Sequence, residues 1–462
     1  MILIDSFLEH PYNRGGRCCM GNGLTQKHTA KSLLIFAFPT IVMMIFMSLY
    51  TMVDGIFVAN FVSADALAGL NLVIPALNIL ASLSVLISTG GSAVISRKLG
   101  EGKDTEARQD FSFIVALTIM FGAAVTILGI IFADPVLKLL GTTDILYPVA
   151  YEYYSMLALF MIPCLLQVQF QYFFVTAGAP NLGLICVVAG GISNIVLDYV
   201  FIVLFGMDIR GAALATGIGY SIPAVVGLVW FLLNKNGMLR FTMPRPRLST
   251  LRNAAVNGFG SMIINVAGGV VTWLFNRNIV IYLQEIGISA ATIVLYARFM
   301  LSSVLSGYSS GVAPVISFNY GRKDLKQVRF LFRTSLKVVL AGSAIVCLAS
   351  VVLRDVIVSL FASGEPELAA LARHGIFLFA FSYLFSGVNT FAATLFSALN
   401  CGKTSAVMAC MNTFVFLVGA MFLLPRLGLG ADGVWLAVPC AEFLSLCLTV
   451  FLLRQNKHRF GY

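Results

Sequence analysis

Uninterrupted apolar runs recur along this chain from near its beginning to near its end. Many reach about 20 residues, the length at which an α-helix crosses the hydrocarbon core of a bilayer. Of the 462 residues, 59% are hydrophobic and only 11% are charged, whereas a soluble fold of this size covers its surface with far more charge. The short alternating segments of a membrane β-barrel are absent from the pattern. The sequence therefore predicts an all-α polytopic membrane protein.

Hydropathy divides the runs into twelve predicted transmembrane helices, numbered here as spans one to twelve. They cover 32–61, 67–96, 110–133, 151–177, 183–205, 211–233, 253–283, 288–318, 327–353, 372–399, 404–424 and 432–453. Six spans lie on each side of a basic, Pro-containing segment. The predicted domains are a cytoplasmic N-terminal tail 1–31, a first lobe 32–233, a cytoplasmic linker 234–252, a second lobe 253–453 and a cytoplasmic tail 454–462.

The positions of Lys and Arg predict which way the helices cross. Of the 30 basic residues, 23 fall on the side of the N-terminus, five fall on the opposite side, and Arg277 and Arg298 lie within spans. Because Lys and Arg are enriched on the cytoplasmic side, both termini are predicted to be cytoplasmic. This distribution accounts for the net charge of +10 without nucleic acid, although lipid phosphates will attract the same residues.

The chain also contains an internal repeat. The segment 90–100 (GGSAVISRKLG) aligns with 311–321 (GVAPVISFNYG) at an offset of 221. At an offset of 222, Phe174, Gly206, Gly211 and Ala215 match Phe396, Gly428, Gly433 and Ala437. Because each half holds an even number of spans, the halves are parallel and related by an axis along the membrane normal. Two six-helix lobes around a central cavity are typical of transporters.

Polar groups inside the spans are the strongest functional signal, because an Asp at a helix centre costs roughly 2.5–3.5 kcal/mol on insertion scales. Asn194 and Asp198 of span five lie four residues apart and so share one helix face. Asp54 of span one and Thr216 of span six reach a similar depth. These hard oxygen ligands suit Na⁺, and acids buried together also suit proton exchange. We predict a cation-coupling site, and a possible Na⁺ site, at these four residues; the alternative is a static network that fixes helix packing.

The repeat offsets indicate that this site occurs in the first half only. The four positions correspond to the apolar residues Phe275, Phe416, Ala420 and Val438 in the second half. Ion coupling is therefore predicted in the first lobe only. Glu442 of span twelve and Arg298 of span eight either form a structural pair or belong to a substrate cavity, where Glu442 would attract a cation.

Other residues are candidates for a cavity that accepts varied lipophilic cations, since thioethers and aromatic faces suit such molecules. They are Met47, Gln171 and Phe174, although Met and Phe are also ordinary packing residues. Pro39 is a predicted hinge in span one. No phosphate-binding G-x-x-x-x-G-K-[ST] loop, catalytic cluster or metal-ligand spacing is found, so the sequence predicts neither an enzyme nor a cofactor.

Several of these residues, in this order, resemble the multidrug and toxic compound extrusion (MATE) family, in its bacterial MepA-like branch. The resemblance covers essentially all twelve spans. It is carried by Pro39, Tyr50, Asp54, Ala66-Leu67-Ala68, Gly100-x-Gly-Lys, Asn194-x-x-x-Asp198 and Gly311-x-x-Pro314-x-x-Ser-x-Asn-Tyr-Gly321. It implies two lobes around a V-shaped cavity. It also implies a first-lobe cation site at Asp54, Asn194, Asp198 and Thr216, with Tyr153 and Tyr50 nearby.

Together, the residues and the resemblance predict a secondary-active antiporter that exports cationic amphipathic compounds in exchange for inward H⁺ or Na⁺. The sequence does not choose between the two ions. The alternative is a transporter of the same fold that exports a lipid-linked or anionic metabolite, which would need a strongly basic cavity; a channel also stays open. The expected partners are lipophilic cationic small molecules, the coupling ion and membrane lipids, for a monomer in the bacterial plasma (inner) membrane.

Overall fold

The computed structural model describes residues 22–25, 27–62, 64–140, 142, 144, 146–361 and 365–460. The side chains at 22, 23, 54–61, 64–69, 71, 74, 75, 285, 360 and 361 lie outside this description. Every regular element within the described residues is a helix. The predicted all-α polytopic fold is confirmed.

Twelve long helices, labelled α1 to α12, account for most of the described chain. The first six are α1 (Ala30–Phe61), α2 (Ala64–Gly100), α3 (Asp104–Ile131), α4 (Tyr147–Ala158 with Met161–Thr176), α5 (Pro180–Asp198) and α6 (Asp208–Leu233). The second six are α7 (Leu248–Gln284), α8 (Ile286–Gly321), α9 (Leu325–Val352), α10 (Pro366–Ala398), α11 (Gly402–Leu427) and α12 (Gly430–Phe460). Among the described residues, eleven of these helices are long and apolar enough to span a membrane, and α4 does so as a bent pair.

The helices depart from the predicted spans in three places. The fourth span is not one straight helix, because α4 bends by 59° between Ala158 and Met161. Pro163 follows the bend, and its ring would clash with the carbonyl of residue 159 in a continuous helix. The linker ends earlier than predicted, since α7 begins at Leu248. The predicted C-terminal tail is mostly helical, since α12 continues to Phe460.

The backbone repeats the internal symmetry of the sequence. Left-handed residues recur in pairs, 221 residues apart in the first pair and 222 in the others: Gly102 with Lys323, Gly178 with Asn400, Gly206 with Gly428, and Asp208 with Gly430. A left-handed backbone is costly for residues other than glycine, so its recurrence reflects a shared turn geometry. The two halves therefore connect their helices in the same way.

Three hydrophobic cores show how the halves are joined. We call the end that carries the turns 101–103 and 322–324 and the connection 234–247 the basic end, and the opposite end the far end. A core at the basic end combines residues of both halves, such as Phe111 and Phe396. Towards the far end, each half has a core of its own. The halves are thus joined at the basic end and diverge towards the far end.

Reciprocal glycine contacts hold α2 against α8 at the basic end. A Cβ atom on Gly100 would lie 2.0 Å from the carbonyl oxygen of Phe318, and one on Gly321 would lie 2.2 Å from that of Arg97. The two contacts are related by the repeat offset. Beside them, the Ser317 hydroxyl donates to the backbone carbonyl of Ala93 at 2.7 Å. The two helices cross in backbone contact, which a residue with a Cβ would prevent.

An ion network fastens the beginning of the second half to the first. Arg247 immediately precedes α7, and its guanidinium lies 3.1 Å from Glu106 and 3.5 Å from Asp110, both on α3. The Asp110 side chain is fully buried and also pairs with Lys98 of α2 at 2.5 Å. A buried carboxylate requires such compensation. This network closes the basic end between the halves.

Candidate functional site

Helix α5 places two polar side chains inside the first half. Asn194 is 3% exposed and Asp198 is 0% exposed, and their spacing puts them one turn apart on the same face. After Asp198 the helix widens into a π-helix, Tyr199–Leu204. Its counterpart α11 has a π-helical stretch too, Met411–Leu417. Such stretches are rare and frequently occur at functional sites; neither is predicted from the sequence.

Glycines allow α1 and α6 to approach α5 closely. A Cβ atom on Gly190 would lie 2.7 Å from the carbonyl oxygen of Gly219, and one on Gly191 would lie 2.6 Å from the ring of Phe46. The close approach of α6 brings buried Thr216 to Asn194. The Asn194 Nδ2 donates to the Thr216 Oγ1 at 3.4 Å.

The amide oxygen of Asn194 is the atom of this cluster whose environment indicates a bound ligand. Its Oδ1 atom is buried and has no hydrogen-bond partner among the described residues. A buried acceptor without a donor costs about 1–3 kcal/mol, and its position therefore needs an explanation such as an ion or a water. Asp198 lies one turn further along the same face. A carboxylate, an amide oxygen and a hydroxyl are the donor set of a site for a hard cation.

A cavity of about 40 Å³ adjoins these groups. A single water needs about 10–15 Å³ measured in this way, so the cavity has room for waters or a small ion. Side chains from α1, α4, α5 and α6 surround it. They are Tyr50, Thr51, Gln167, Val187, Gly190, Gly191, Asn194, Thr216, Gly219, Tyr220 and Pro223. Of the predicted site residues, the cavity brings together Tyr50, Asn194 and Thr216.

The sequence-based prediction misses most of the cavity residues, including the polar residues Tyr220 and Gln167. Tyr220 follows Thr216 by four residues, and the helical spacing rule could have identified it. Gln167 is one of three glutamines in α4, and no spacing singles it out. It enters the site only through the packing of α4 against the other helices.

The remaining predicted ligands are less closely connected to the cavity. Tyr153 is buried in the first half's own core, which also contains Ile202 and Ala213. Helix α1 runs through Asp54, but the Asp54 side chain lies outside the described residues. Its meeting with Asp198 stays a prediction. Within the described side chains, no three His, Cys, Asp or Glu residues converge in the manner of a metal site.

The equivalent positions in the second half are packed with apolar groups. Phe275, Ala420 and Val438 belong to the second half's core, and Phe416 packs against it. Each of the three core residues is at most 9% exposed. The polar cluster of α5 and α6 is therefore not repeated at the equivalent positions.

The second half has a buried acid at a different place. The Glu442 carboxylate accepts hydrogen bonds from Asn389 Nδ2 at 2.8 Å and from Asn412 Nδ2 at 3.2 Å. Thr449 donates to the Asn389 Oδ1 at 2.8 Å, which fixes the orientation of that amide. The two amide donors thus provide a hydrogen bond to each carboxylate oxygen of Glu442. Asn412 lies in the π-helical stretch of α11.

Arg298 carries the charge opposite to that of Glu442 but does not form an ion pair with it. The two charges attract one another, but no ion pair within 4.0 Å joins these two described side chains. The guanidinium of Arg298 instead lies over the Phe379 ring, 5.7 Å from its centroid. The direct pair suggested by the sequence is replaced by amide hydrogen bonds and a more distant arginine.

The other predicted cavity residues occupy different environments. Phe174 is 1% exposed and stacks on Phe231 with ring centroids 5.6 Å apart, so it packs in the core. Gln171 is 4% exposed, and its Nε2 has no hydrogen-bond partner in the described part of the chain. Met47 is half-buried. Pro39 is buried in α1, which stays helical through it; its role as a hinge stays a prediction.

Replacing Gly219 by Ala is expected to weaken ion binding at the predicted site several-fold without unfolding the protein. The new Cβ would lie 3.1 Å from the Asn194 Cβ and 3.1 Å from the Gly190 carbonyl oxygen, so Asn194 must shift by a few tenths of an ångström. The half-saturating ion concentration for transport measures the effect. Gly419→Ala is the matched control, since no atom from another described element lies within 4 Å of its Cβ position. Equal ion dependence in the two variants would contradict a role of Asn194 in ion binding.

The fold and the site together define a class of protein. Two parallel six-helix halves diverge from a closed end, and the first half holds a buried polar cluster beside a cavity. This is the architecture of a secondary transporter, in which two bundles rock against each other. The model of the MatE family matches residues 39–200 and 258–423, one segment in each half. The chain belongs to the MatE family, whose members are transporters and not enzymes.

Relatives and solved structures agree with this assignment. The multidrug export protein MepA of Staphylococcus haemolyticus is 22% identical over 435 residues, covering 93% of this chain and 94% of the relative. MepA of Staphylococcus aureus is 23% identical, with 92% and 94% covered. A crystal structure of MATE in complex with MaL6 aligns with a TM-score of 0.91 at 18% identity, over 96% of this chain and all of that chain. An outward-facing multidrug resistance MATE transporter aligns with a TM-score of 0.90 at 18% identity, covering 96% and 99%.

Proposed function

We propose that this protein is a multidrug efflux antiporter that exports cationic amphipathic compounds in exchange for inward H⁺ or Na⁺. The observation that carries the proposal is the buried Oδ1 of Asn194, which has no hydrogen-bond partner among the described residues and lies one helical turn from the fully buried Asp198 and beside a small cavity. The site lies inside one half of a two-half transporter fold. The named activity of the MepA relatives, multidrug export, supports the substrate class.

The coupling step follows from the chemistry of the first-half cluster. A charged carboxylate at Asp198 has a high free energy in an apolar interior. A proton or Na⁺ that neutralises the charge lowers this free energy. Na⁺ would take oxygens from Asp198, Asn194 and Thr216, with Asp54 as a further proposed ligand. A ligand shifts an equilibrium between two conformations when it binds one of them more tightly. The ion-bound first half would then favour release of the drug, and loss of the ion would restore the other arrangement.

The membrane orientation is part of the proposal. Basic residues mark the cytoplasmic side, so the basic end with both termini lies in the cytoplasm. The halves diverge towards the far end, which would then open to the outside. In this arrangement the ion enters from outside while the drug leaves, as the outward-facing state of an antiporter requires.

Export of a lipid-linked or anionic metabolite is the alternative. Such a cargo needs exposed positive charge inside the spans, where the sequence offers only Arg277 and Arg298. Arg298 has Glu442 as its counter-charge, and Arg277 lies over the Trp273 ring, 5.3 Å from its centroid. These placements favour cationic cargo.

Proteoliposomes with separately imposed pH and Na⁺ gradients test the proposed function. Efflux of a cationic dye is expected to accelerate at least tenfold under one of the two gradients. An ionophore that collapses this gradient should abolish the acceleration. An anionic dye is the matched control and should not respond. Gradient-independent dye flux would indicate a channel, and preferential movement of the anionic dye would support the alternative cargo.

A further inference from the structure

Helix α9 carries an exposed cationic stripe at the basic end. Lys326, Arg329, Arg333 and Lys337 are three or four residues apart and all exposed, so they lie along one face of the helix. At 1.5 Å per residue the stripe is about 16 Å long. With Phe330 and Thr334, these residues line a groove of about 330 Å³.

Three of the four cations of this stripe lack an acidic partner among the described side chains. Among the described side chains, no Asp or Glu forms an ion pair with Lys326, Arg333 or Lys337. Four other cations at the basic end do have acidic partners among the described side chains: Arg97, Lys98, Lys103 and Arg247. The stripe therefore presents concentrated positive charge to whatever occupies the groove.

Comparison with the first half shows that no described segment covers the groove. By the repeat offset of 221, the stripe corresponds to residues 105, 108, 112 and 116 of α3. There the connection 234–247 covers the helix: Arg108 donates to the Met238 carbonyl at 3.0 Å, and the Thr242 amide donates to Ser112 Oγ at 2.9 Å. On α9 the four cations remain exposed, and the structure assigns no segment of the described chain to this place.

The same side of α9 becomes apolar beyond the stripe. Leu340, Ile345, Leu348 and Val352 are 50–66% exposed and continue towards the far end. A ligand lying along this side would meet cations first and hydrocarbon next. That order matches the phosphate headgroup and the acyl chain of a phospholipid in the leaflet at the basic end.

We propose that the α9 groove is a binding site for an anionic phospholipid. The stripe contacts the headgroup phosphate, and the apolar continuation of α9 contacts an acyl chain. A zwitterionic phospholipid also carries a phosphate, but its ammonium group cancels the charge that the stripe recognises. The site is separate from the ion and drug sites, and the proposal does not depend on the function proposed for them.

The test compares two charge-matched variants of the full chain. K326Q/R333Q/K337Q removes three stripe cations, and R454Q/K457Q/R459Q removes three exposed cations from the last turns of α12 at the same end. Native mass spectrometry of purified protein follows added phosphatidylglycerol or phosphatidylcholine. Phosphatidylglycerol is expected to bind the stripe variant at least tenfold more weakly than the wild type and the α12 variant. Phosphatidylcholine should bind all three proteins alike.

Equal phosphatidylglycerol affinity in the stripe and α12 variants would overturn the proposal. Displacement of the lipid by millimolar inorganic phosphate would also overturn it, because the stripe would then be a simple anion site. Lysine acetylation of the wild type gives a second measurement that needs no variant to fold. Phosphatidylglycerol should protect Lys326 and Lys337 but not Lys457, and equal protection of all three would contradict the site.

Discussion

Asp198→Asn is expected to reduce gradient-driven efflux to the level of protein-free liposomes while leaving the fold intact. Asn has nearly the shape of Asp and fits the same fully buried position, but it cannot release or bind a proton at physiological pH and carries no charge to attract Na⁺. Transport in proteoliposomes under pH and Na⁺ gradients measures the loss, and thermal unfolding in detergent monitors the fold.

Asp208→Asn is the matched control for this substitution. It makes the same chemical change at an exposed residue at the beginning of α6. Asp208 has a φ of 47°, a conformation that Asn also tolerates. Its efflux should equal that of the wild type. Asp54→Asn is expected to behave like Asp198→Asn if both acids bind the ion. Wild-type efflux in both the Asp54 and Asp198 variants would remove these acids from the mechanism.

The sequence identifies the polar cluster because the bilayer makes polar residues conspicuous. An Asp in an apolar run stands out by its cost, and helical spacing then adds Asn194. Thr216 follows from a comparison of depth along neighbouring spans. These arguments use one helix at a time or the order of helices along the chain. They succeed where the relevant information is local.

Features that depend on contacts between distant helices cannot be read in this way. Glu442 is conspicuous in the sequence, but its hydrogen-bond donors lie on α10 and α11, and no spacing connects them. Phe174 is as suitable for a drug cavity as for a core, and only its stacking on Phe231 decides between them. Pro163 predicts a kink in the fourth span, but a proline alone does not give the size of the bend, which is 59°.

The repeat carries information about both the symmetry and the asymmetry of the molecule. The left-handed turns and the α2–α8 glycines obey it, since both halves need the same connections and the same close crossing. The polar cluster and the surface of α9 depart from it. Because a shared backbone needs only a shared pattern of turns and apolar faces, the side chains of one half are free to specialise. The departures therefore mark the positions where each half has a role of its own.

The double substitution Gly100→Ala with Gly321→Ala is expected to open the basic end and to reduce transport strongly. Each new methyl group would lie about 2 Å from a backbone carbonyl of the opposite half, so α2 and α8 must separate. Overpacking typically costs about 1–3 kcal/mol per site, enough to shift a two-state equilibrium by a factor of roughly 5 to 150. Faster hydrogen–deuterium exchange in peptides covering 90–100 and 311–321 would report the opening.

Gly268→Ala provides the control, because no atom of another described helix lies within 4 Å of its Cβ position on α7. Alanine favours a helix over glycine, so this variant should retain transport and exchange rates. The atoms nearest to the Gly100 and Gly321 Cβ positions all belong to the other half, so neither half is overpacked internally. Any loss of thermal stability in the double variant should therefore come from incomplete docking of the two halves, and not from overpacking within either half. Unchanged exchange at the basic end together with wild-type transport would show that the glycine crossing is not the closing contact between the halves.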